Sequence, residues 1–362
     1  MPIREESFRI GCGRYLQRPG LLQECGPEIA RLGSRPLIIG GKRALAIARP
    51  LMEPSVTAAC EGYAFLEHPG SCNRERATQL ADDAREQGYN VIVGVGGGVL
   101  MDFAKLVGDF AGRPVVNVPT SSATCAAYTP LSVCYTPEGR TVGTQHFGYE
   151  VSAVLVDSAV LAAQPTRLLL AGVFDALAKY VEIKQRYREG QSHPLGLDWA
   201  YLMAKRSFDQ LVSTTEQCLN DLAAGRLTDA AEQLFFTTIA VTGVISGIAR
   251  GSNQTALAHK FYEGTRAMYF EESRTYLHGE IVGVGLLLQN HFNGQPENNA
   301  FLQGTMSKYQ MPGCLSEIGL QATPETLEQY YEKLKGSSAI DETNQQELAA
   351  LRAGLQDLWA RG

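Results

Sequence analysis

Short apolar runs alternate with amphipathic stretches through the first part of the chain. Between two of these runs, residues 73–87 are polar, charged and free of glycine, which is typical of a surface helix. Strands that alternate with helices in this way predict a parallel sheet with helices on both faces. The apolar runs are rich in β-branched residues and lie at residues 36–39, 63–66, 91–95, 115–118 and 154–156.

The pattern of apolar residues along the chain changes near residue 162. Long helical segments with few β-branched runs follow, beginning with residues 168–184, and this character persists to the last residue. A sheet needs such runs, whereas a helical bundle does not. We therefore predict an α/β domain with a parallel sheet over residues 1–161 and an all-helical (all-α) domain over residues 162–362.

Turn residues predict three further local features. A Pro/Gly turn at residues 137–139 separates the apolar residues 131–135 from residues 141–142, which predicts a β-hairpin. Polar segments at residues 188–194 and 337–343 are predicted to be loops.

Composition narrows the class of protein. A chain of 362 residues is long enough for two domains. Its 32 basic and 38 acidic residues give a net charge of -6 without a basic stripe, which argues against a nucleic-acid partner and favours a small-molecule substrate. The eight scattered cysteines form no CxxC pair, and we find no signal-peptide core and no apolar stretch of about 20 residues. These features predict a soluble cytoplasmic protein with no membrane partner.

A glycine-rich turn follows the third apolar run. Gly96, Gly97 and Gly98 open a stretch in which apolar residues recur at helical spacing. Glycines there let the backbone approach a pyrophosphate, and the first turn of the helix offers unpaired N–H groups. Asp102, one turn into this helix, could cap it or accept a hydrogen bond. The alternative is a tight strand-to-helix turn that binds no ligand.

Residues after two other runs bear on the choice of cofactor. Thr120 and Ser121 supply hydroxyls where a parallel sheet usually binds its ligand. After the first run, Gly40 is followed by Lys42 and Arg43, with no acidic residue to hold a ribose 2′-hydroxyl. Cationic side chains suit a 2′-phosphate, so the sequence favours NADP(H) over NAD(H). A solvated basic helix start is the alternative.

A possible metal site lies further along the chain. Asp175, His259 and His278 supply a carboxylate and two imidazoles, and the chain has only six histidines. Three such ligands leave a coordination position open for a substrate oxygen, which is typical of a catalytic metal. Alternatively, each histidine is an ordinary core or surface residue and Asp175 forms a simple salt bridge.

Together these residues resemble the iron-containing (group III) alcohol dehydrogenase superfamily, in its glycerol dehydrogenase-like branch. The resemblance rests on residues 94–105, 118–135 and 169–178 and on the two histidine segments. It implies a homo-oligomer whose N-terminal α/β domain binds a dinucleotide, an all-helical C-terminal domain, and one divalent metal in the cleft between the two domains. The implied metal ligands are Asp175, His259 and His278. The implied cofactor contacts are Gly97, Gly98, Asp102, Thr120, Thr129, Leu131, Val133 and Tyr135.

Departures from the family pattern refine this reading. Lys179 stands where four-ligand members have a histidine, which implies three protein ligands and favours zinc over iron. Cys125 stands where glycerol dehydrogenases hold the polyol with an aspartate, and Tyr262 replaces a second histidine of relatives. The neutral Cys125 and the cationic Lys179 are expected to favour a carboxylate substrate, as in the bacterial hydroxycarboxylate dehydrogenase A group, which reduces 2-oxo acids. An ion pair between Lys179 and Glu182 is the alternative.

Four functions therefore remain open at the level of sequence. The first is a metal-dependent NAD(P)H oxidoreductase that interconverts a 2-oxo acid and a 2-hydroxy acid, and the nearest rival is a glycerol or other polyol dehydrogenase. A lyase like dehydroquinate synthase shares the architecture, but its ligand set normally has glutamate at the position of Asp175. The altered residue Tyr262 keeps open a catalytically silent nucleotide-binding relative.

Overall fold

A computed structural model describes residues 8, 10–187, 190–249 and 255–362. Within these ranges the strands are Tyr15–Arg18 (β1), Pro36–Gly40 (β2), Ala64–Glu67 (β3), Val91–Gly96 (β4), Val115–Pro119 (β5), Leu131–Tyr135 (β6), Thr141–His146 (β7) and Ala153–Asp157 (β8). The first helices are Gly26–Ala30 (α1), Lys42–Ala59 (α2), Arg74–Glu86 (α3), Gly98–Ala111 (α4) and Ser158–Ala162 (α5).

Helices make up the rest of the chain. They are Thr166–Arg186 (α6), Leu195–Ala223 (α7), Asp229–Phe236 (α8), Thr242–Ala249 (α9), Leu257–Met268 (α10), Phe270–Ser273 (α11), His278–Phe292 (α12), Asn299–Tyr309 (α13), Pro324–Lys335 (α14) and Gln345–Ala360 (α15). Short 3-10 helices lie at Leu21–Glu24, Pro296–Asn298 and Ser316–Ile318, and a π-helical turn at Thr237–Val241.

Six strands form one parallel sheet in the order β1-β8-β5-β4-β2-β3. The predicted parallel sheet and the helical second half are both confirmed. All five predicted runs are strands, whereas β1 was not predicted. The predicted hairpin is confirmed as the antiparallel pair of β6 and β7, with a register irregularity between Cys134 and Tyr135.

The order of the strands creates a switch point at one edge of the sheet. From β2 the chain moves outward to β3, whereas from β4 it moves the other way to β5, and β2 and β4 are neighbours. Both strands are fully buried, which explains their uninterrupted apolar sequences. Parallel sheets bind ligands outside the carboxyl ends of the strands that flank such a point. Gly40 and Gly96 end these two strands.

The chain separates into two compact units that differ from the predicted division. Among the described residues, the sheet unit comprises 10–169 and 214–247, and the helical unit comprises residue 8, 170–187, 190–213, 248–249 and 255–362. A single boundary after residue 161 does not describe them, because residues 214–247 return to the sheet unit. There the amide of Gln17 donates to the Glu232 carboxylate over 2.6 Å. The loop predicted at 337–343 is present, and the one predicted at 188–194 lies partly outside the described residues.

One helical stretch corrects an expectation about apolar length. Asp229–Ala249 is long and apolar enough to cross a membrane by length and composition alone, although the sequence was expected to have no such stretch. In an apolar stretch of 18 of these residues, 56% is buried inside the protein. Its hydroxyls are also used internally, since Thr238 and Thr242 donate hydrogen bonds to backbone carbonyls of the same helix. The core helix of a globular unit has these properties.

Candidate metal centre and nucleotide-binding turn

The helical unit brings the three predicted metal ligands together. Asp175 Oδ1 lies 3.4 Å from His259 Nε2 and 3.5 Å from His278 Nε2. The ligand atoms of the three residues all lie within 4.8 Å of one another. Two atoms bound about 2.0–2.1 Å from a tetrahedral zinc ion stand roughly 3.3–3.4 Å apart. The observed separations therefore fit donors arranged around one ion better than hydrogen bonds.

The Asp175 carboxylate gives a second indication of a metal. It is 4% exposed, and its Oδ1 atom has no hydrogen-bond partner among the described residues. An unsatisfied buried acceptor carries a large desolvation cost unless another group compensates it. A divalent ion between Asp175 and the two imidazoles would supply that compensation. The chemistry of the donor set, one carboxylate and two imidazoles, suits zinc or iron.

Close packing of α12 brings the ligands into range. His278 is the first residue of α12, and a Cβ atom on the next residue, Gly279, would lie 1.9 Å from the carbonyl oxygen of Ala171 on α6. Further along α12, a Cβ atom on Gly285 would lie 2.7 Å from the carbonyl oxygen of Ala258 on α10. Only glycine allows such approaches. Two glycines thus let α12 contact both helices that carry the other ligands.

A second carboxylate supports the site from the far side of His259. Glu182 is 0% exposed and lies on the same face of α6 as Asp175, seven residues further along the chain. Its Oε2 atom is 2.6 Å from His259 Nδ1, and its Oε1 atom accepts hydrogen bonds from the backbone N–H groups of Ala256 and His259 at 2.9 and 2.8 Å. The opposite nitrogen of the imidazole, Nε2, faces Asp175. Glu182 therefore orients His259 toward the ligand cluster.

The pKa values of these groups reflect burial and mutual charge. Burial alone would raise the pKa of Asp175, but the Lys179 ammonium and the two imidazoles hold it well below its usual range. Burial lowers the pKa of His259, and the Glu182 carboxylate outweighs that effect and raises it to about 9. Burial also lowers the pKa of His278, which Asp175 only partly offsets. Asp175 is therefore an ionised ligand at neutral pH.

Lys179 lies beside the cluster, as its spacing from Asp175 predicted. It is 5% exposed, and its Nζ atom is 3.5 Å from Asp175 Oδ1. Lys179 also helps to lower the pKa of Glu182, the alternative partner, whose carboxylate is at the same time bound to α10. Lys179 thus places a buried cation at the candidate metal centre. Tyr262 also reaches the cluster, since its ring packs edge-on against the His278 imidazole with centroids 4.3 Å apart.

In the sheet unit, the predicted nucleotide-binding residues gather at the switch point. Gly97 is exposed and directly precedes α4, which begins without a side-chain cap. On the neighbouring strand, Gly40 ends β2, and the exposed Lys42 and Arg43 open α2, which also lacks a side-chain cap. Thr120 and Ser121 follow β5, the strand on the other side of β4. Uncapped helix starts leave N–H donors available for phosphate oxygens.

Asp102 lies inside the protein and not at the surface of the glycine turn. It is 5% exposed, its Oδ1 atom is 2.8 Å from Lys105 Nζ, and its Oδ2 atom accepts a hydrogen bond from the N–H group of Val133 at 3.0 Å. Burial raises the pKa of Asp102, and Lys105 offsets this only in part. Asp102 therefore anchors β6 to α4. Its predicted contact with pyrophosphate stays a prediction.

Lys105 organises the loop between β5 and β6. It is 1% exposed, and its ammonium donates to the carbonyl oxygens of Ala126, Thr129 and Leu131, at 2.7 and 2.9 Å for the first two. Thr129 and Leu131 are predicted cofactor contacts. A buried ammonium surrounded by oxygens is satisfied despite its desolvation. Lys105 thus ties this segment to the helix that follows the glycine turn.

The remaining predicted residues have clear positions but untested roles. Leu131, Val133 and Tyr135 lie on β6 with half-buried side chains, and Thr129 is buried just before that strand. Cys125 lies in the loop after β5 and is half-buried. Gly98 is the first residue of α4, and a Cβ atom there would lie 2.8 Å from Thr124 Oγ1. Their contacts with cofactor or substrate stay predictions.

Sequence reasoning missed two residues that organise these sites. Lys105 belongs to the glycine-turn motif, but a lysine in a helix is usually assigned to the surface. Glu182 was considered only as a partner for Lys179. Its spacing from Asp175 was the available signal, since residues seven apart share one face of a helix.

Comparison with known proteins identifies the family. The iron-containing alcohol dehydrogenase family pattern matches residues 12–158. Hydroxycarboxylate dehydrogenase A of Escherichia coli (strain K12) is 32% identical over 319 residues, which cover 88% of this chain and 87% of that protein. Glycerol dehydrogenase of Pseudomonas putida is 30% identical over 82% of this chain and 80% of its own length.

Two solved structures support the fold. The crystal structure of a probable glycerol dehydrogenase from Sinorhizobium meliloti 1021 matches with a TM-score of 0.82 over 99% of both chains, at 24% sequence identity. The structure of glycerol dehydrogenase from Schizosaccharomyces pombe matches with a TM-score of 0.83 at 21% identity, over 99% of this chain and 93% of that one. The resemblance drawn from the sequence is confirmed, and the chain belongs to the iron-containing alcohol dehydrogenase family.

Proposed function

We propose that the protein is a metal-dependent oxidoreductase that interconverts a 2-oxo acid and a 2-hydroxy acid with a nicotinamide cofactor. The observation that carries this proposal is the buried Asp175 Oδ1 atom, which has no hydrogen-bond partner among the described residues. The Nε2 atoms of His259 and His278 lie 3.4 and 3.5 Å from it. A divalent ion held there, zinc in our proposal, would supply Lewis acidity at the substrate's oxygen. The similarity to hydroxycarboxylate dehydrogenase A supports the substrate class.

The reaction adds one hydride and one proton across the carbonyl of the 2-oxo acid, and the reverse reaction removes them. The protein's own residues must bind both reactants and orient them, because a hydride is transferred only between atoms held in contact. We assign Asp175, His259 and His278 to the metal and the glycine turn at Gly97 and Gly98 to the pyrophosphate. These assignments agree with the open helix start at α4.

Lys42 and Arg43 support NADPH as the cofactor. Both side chains are exposed at the start of α2, beside the switch point of the sheet. A 2′-phosphate is a dianion that guanidinium and ammonium groups bind well, whereas a bare ribose is usually held by a carboxylate. We therefore propose that the protein uses NADPH in preference to NADH.

Lys179 supports a substrate that carries a carboxylate. Its ammonium is buried, lies 3.5 Å from Asp175 Oδ1 and stands where an anion bound at the metal centre would be attracted. Cys125 adds no charge to repel such an anion. A buried cation contributes more to anion binding than an exposed one, because it is less screened by water.

A substrate panel tests the proposed function. On zinc-reconstituted protein we expect kcat/KM for 2-oxobutyrate and 2-oxoglutarate, with NADPH, to exceed the value for glycerol, with NADP+, by at least about tenfold. NADH and NAD+ are assayed in parallel. Glycerol dehydrogenase is the second candidate, supported by the 30% identity to the Pseudomonas putida enzyme. Faster turnover of glycerol than of either 2-oxo acid would favour that candidate.

A variant of Lys179 tests whether this residue binds the carboxylate of the substrate. Lys179→Met is expected to raise KM for 2-oxobutyrate by roughly 10–100-fold, as for the loss of one hydrogen bond to a charged group. Lys179→Arg, which keeps the charge, is the matched variant, and the neutral analogue 2-oxobutanamide is the matched substrate. If Lys179→Met raises KM for 2-oxobutanamide as much as KM for 2-oxobutyrate while the zinc content is unchanged, Lys179 does not recognise the carboxylate.

Three further observations bear on the location, the assembly and the activity of the protein. All eight cysteines lie in the described residues and form no disulfide bond, which agrees with a cytoplasmic location. Leu195, Trp199 and Leu202 are exposed on one face of α7, as expected for a surface covered in a homo-oligomer. The retained donor set of Asp175, His259 and His278 counts against a catalytically silent relative.

A further inference from the structure

We propose that Glu182 is a positioning residue for the metal centre, which fixes the tautomer and orientation of His259. This inference rests on the proposed function, because it assigns a role toward the same metal. Glu182 itself does not belong to the ligand cluster. Its carboxylate contacts the far side of the imidazole, with Oε2 2.6 Å from His259 Nδ1.

The first step of the argument is the tautomer. A carboxylate only accepts hydrogen bonds, so the contact at 2.6 Å requires the proton of a neutral imidazole to lie on Nδ1. The Nε2 atom then keeps its lone pair, and it faces Asp175 Oδ1 at 3.4 Å. A histidine binds a metal only through a nitrogen without a proton. Glu182 thus selects the form of His259 that can act as a ligand.

The second step is the orientation of the backbone. α10 begins at Leu257 with no side-chain cap of its own. Glu182 Oε1 accepts hydrogen bonds from the N–H groups of Ala256 and His259, and Gln289 Oε1 accepts one from Leu257 at 2.7 Å. Side chains from α6 and α12 therefore cap α10 across space. Unpaired N–H groups at a helix start need such acceptors, and a carboxylate is also favoured there by the helix dipole.

The third step connects the three ligand-bearing helices. Glu182 lies on α6 with Asp175, and Gln289 lies on α12 with His278. Both caps reach the first turn of α10, which carries His259. Only Glu182 also contacts the imidazole. The two residues share the capping role and differ in the contact with the ligand, so they form a natural pair of test and control.

Glu182→Gln tests the assignment with almost no change in shape. A glutamine that still accepts from the two backbone N–H groups would turn its NH2 group toward Nδ1, which favours the tautomer with the proton on Nε2. We expect the zinc affinity, measured by competition with a chromophoric chelator, to fall by roughly 10–100-fold. The visible absorption of the cobalt(II)-loaded protein is expected to change as well, because the ligand field around the ion changes.

Gln289→Met is the matched control. It removes one cap from the same helix start, together with the hydrogen bonds that Gln289 donates to Gln185 and Asn293, and leaves the contact with the imidazole intact. We therefore expect lower thermal stability with the zinc affinity and cobalt spectrum of the wild type. Equal zinc affinity in Glu182→Gln and the wild type would overturn the assignment. Equal losses in both variants would also overturn it, since capping alone would then explain the effect.

Two further outcomes are distinguishable. If the wild-type protein binds no zinc, the proposed function fails, and the role of Glu182 fails with it. If Glu182→Gln does not fold, Glu182→Asp replaces it, because this variant keeps the charge and shortens the side chain by one methylene. We expect Glu182→Asp to bind zinc more weakly than the wild type, and unchanged affinity in this variant would overturn the assignment.

Discussion

Replacing His278 with alanine is expected to remove the bound zinc and to lower kcat for a 2-oxo acid by at least about 10³-fold, since Lewis-acid stabilisation contributes several kcal/mol. His278 Nε2 is one of the atoms grouped within 4.8 Å around the candidate metal position. Without it, one carboxylate and one imidazole remain, which is too few ligands for a stable zinc site. Zinc content and turnover are measured on the same preparation.

The structure indicates that this variant will fold. The His278 side chain is 28% exposed, and the start of α12 is capped independently by Glu280, which accepts a hydrogen bond from the Leu277 N–H group at 2.7 Å. His291, on the same helix, provides a matched control. We expect His291→Ala to keep its zinc and its turnover. A His278→Ala protein that retains one zinc ion and nearly full turnover would contradict the assignment of His278 as a ligand.

Lys105→Met is expected to lower the free energy of unfolding by roughly 3–5 kcal/mol, because removing one partner of a buried ion pair leaves a buried charge without compensation. Lys105 is 1% exposed, and its loss leaves Asp102 and the carbonyl groups of Ala126, Thr129 and Leu131 without their donor. Urea denaturation measures the effect. Cofactor affinity should fall as well, because the β5–β6 segment loses its anchor.

A double-mutant cycle isolates the ion pair. Asp102→Asn removes the charge and keeps an acceptor for the Val133 N–H group, so the double variant should lose less stability than the sum of the single variants. The loss in Lys105→Met should also be larger at pH 8 than at pH 5. Burial raises the pKa of Asp102, and a carboxyl with a raised folded-state pKa loses stability as the pH rises through it. Additive losses would show that the pair contributes nothing.

The sheet could be predicted from the sequence because most of its strands are buried on both faces. β2, β4, β5 and β8 are fully buried, so they appear as continuous apolar runs. β1 was missed because it is an edge strand, partly exposed along its whole length, and its sequence of Tyr, Leu, Gln and Arg has no apolar run. Propensity does not identify such a strand, because only its pairing with β8 forms it.

The division into units was less predictable than the fold class. Helical periodicity at residues 214–247 predicts helices but does not say against which unit they pack. One of the contacts between this segment and the rest of the sheet unit, between Gln17 and Glu232, joins residues 215 positions apart. Long-range packing of this kind leaves no local pattern in the sequence.

The metal ligands could be predicted because histidine is scarce in this chain and because the surrounding segments resemble a known family. Glu182 and Lys105 could not, since a charged residue within a helix usually lies on the surface. Their burial is stable only because distant groups satisfy them, and Glu182 lies 77 positions from His259. Asp102 was placed at the correct turn of the chain, but its carboxylate points into the protein and holds β6.

The most direct test of the central claim is a zinc titration of the chelator-treated protein. Oxidation of NADPH in the presence of 2-oxobutyrate is followed as zinc is added in small steps. If Asp175, His259 and His278 bind the single ion on which the reaction depends, activity will rise from near zero and level off at one zinc per chain. Full activity in the metal-free protein, or an activity that does not respond to zinc or iron(II), would contradict the account.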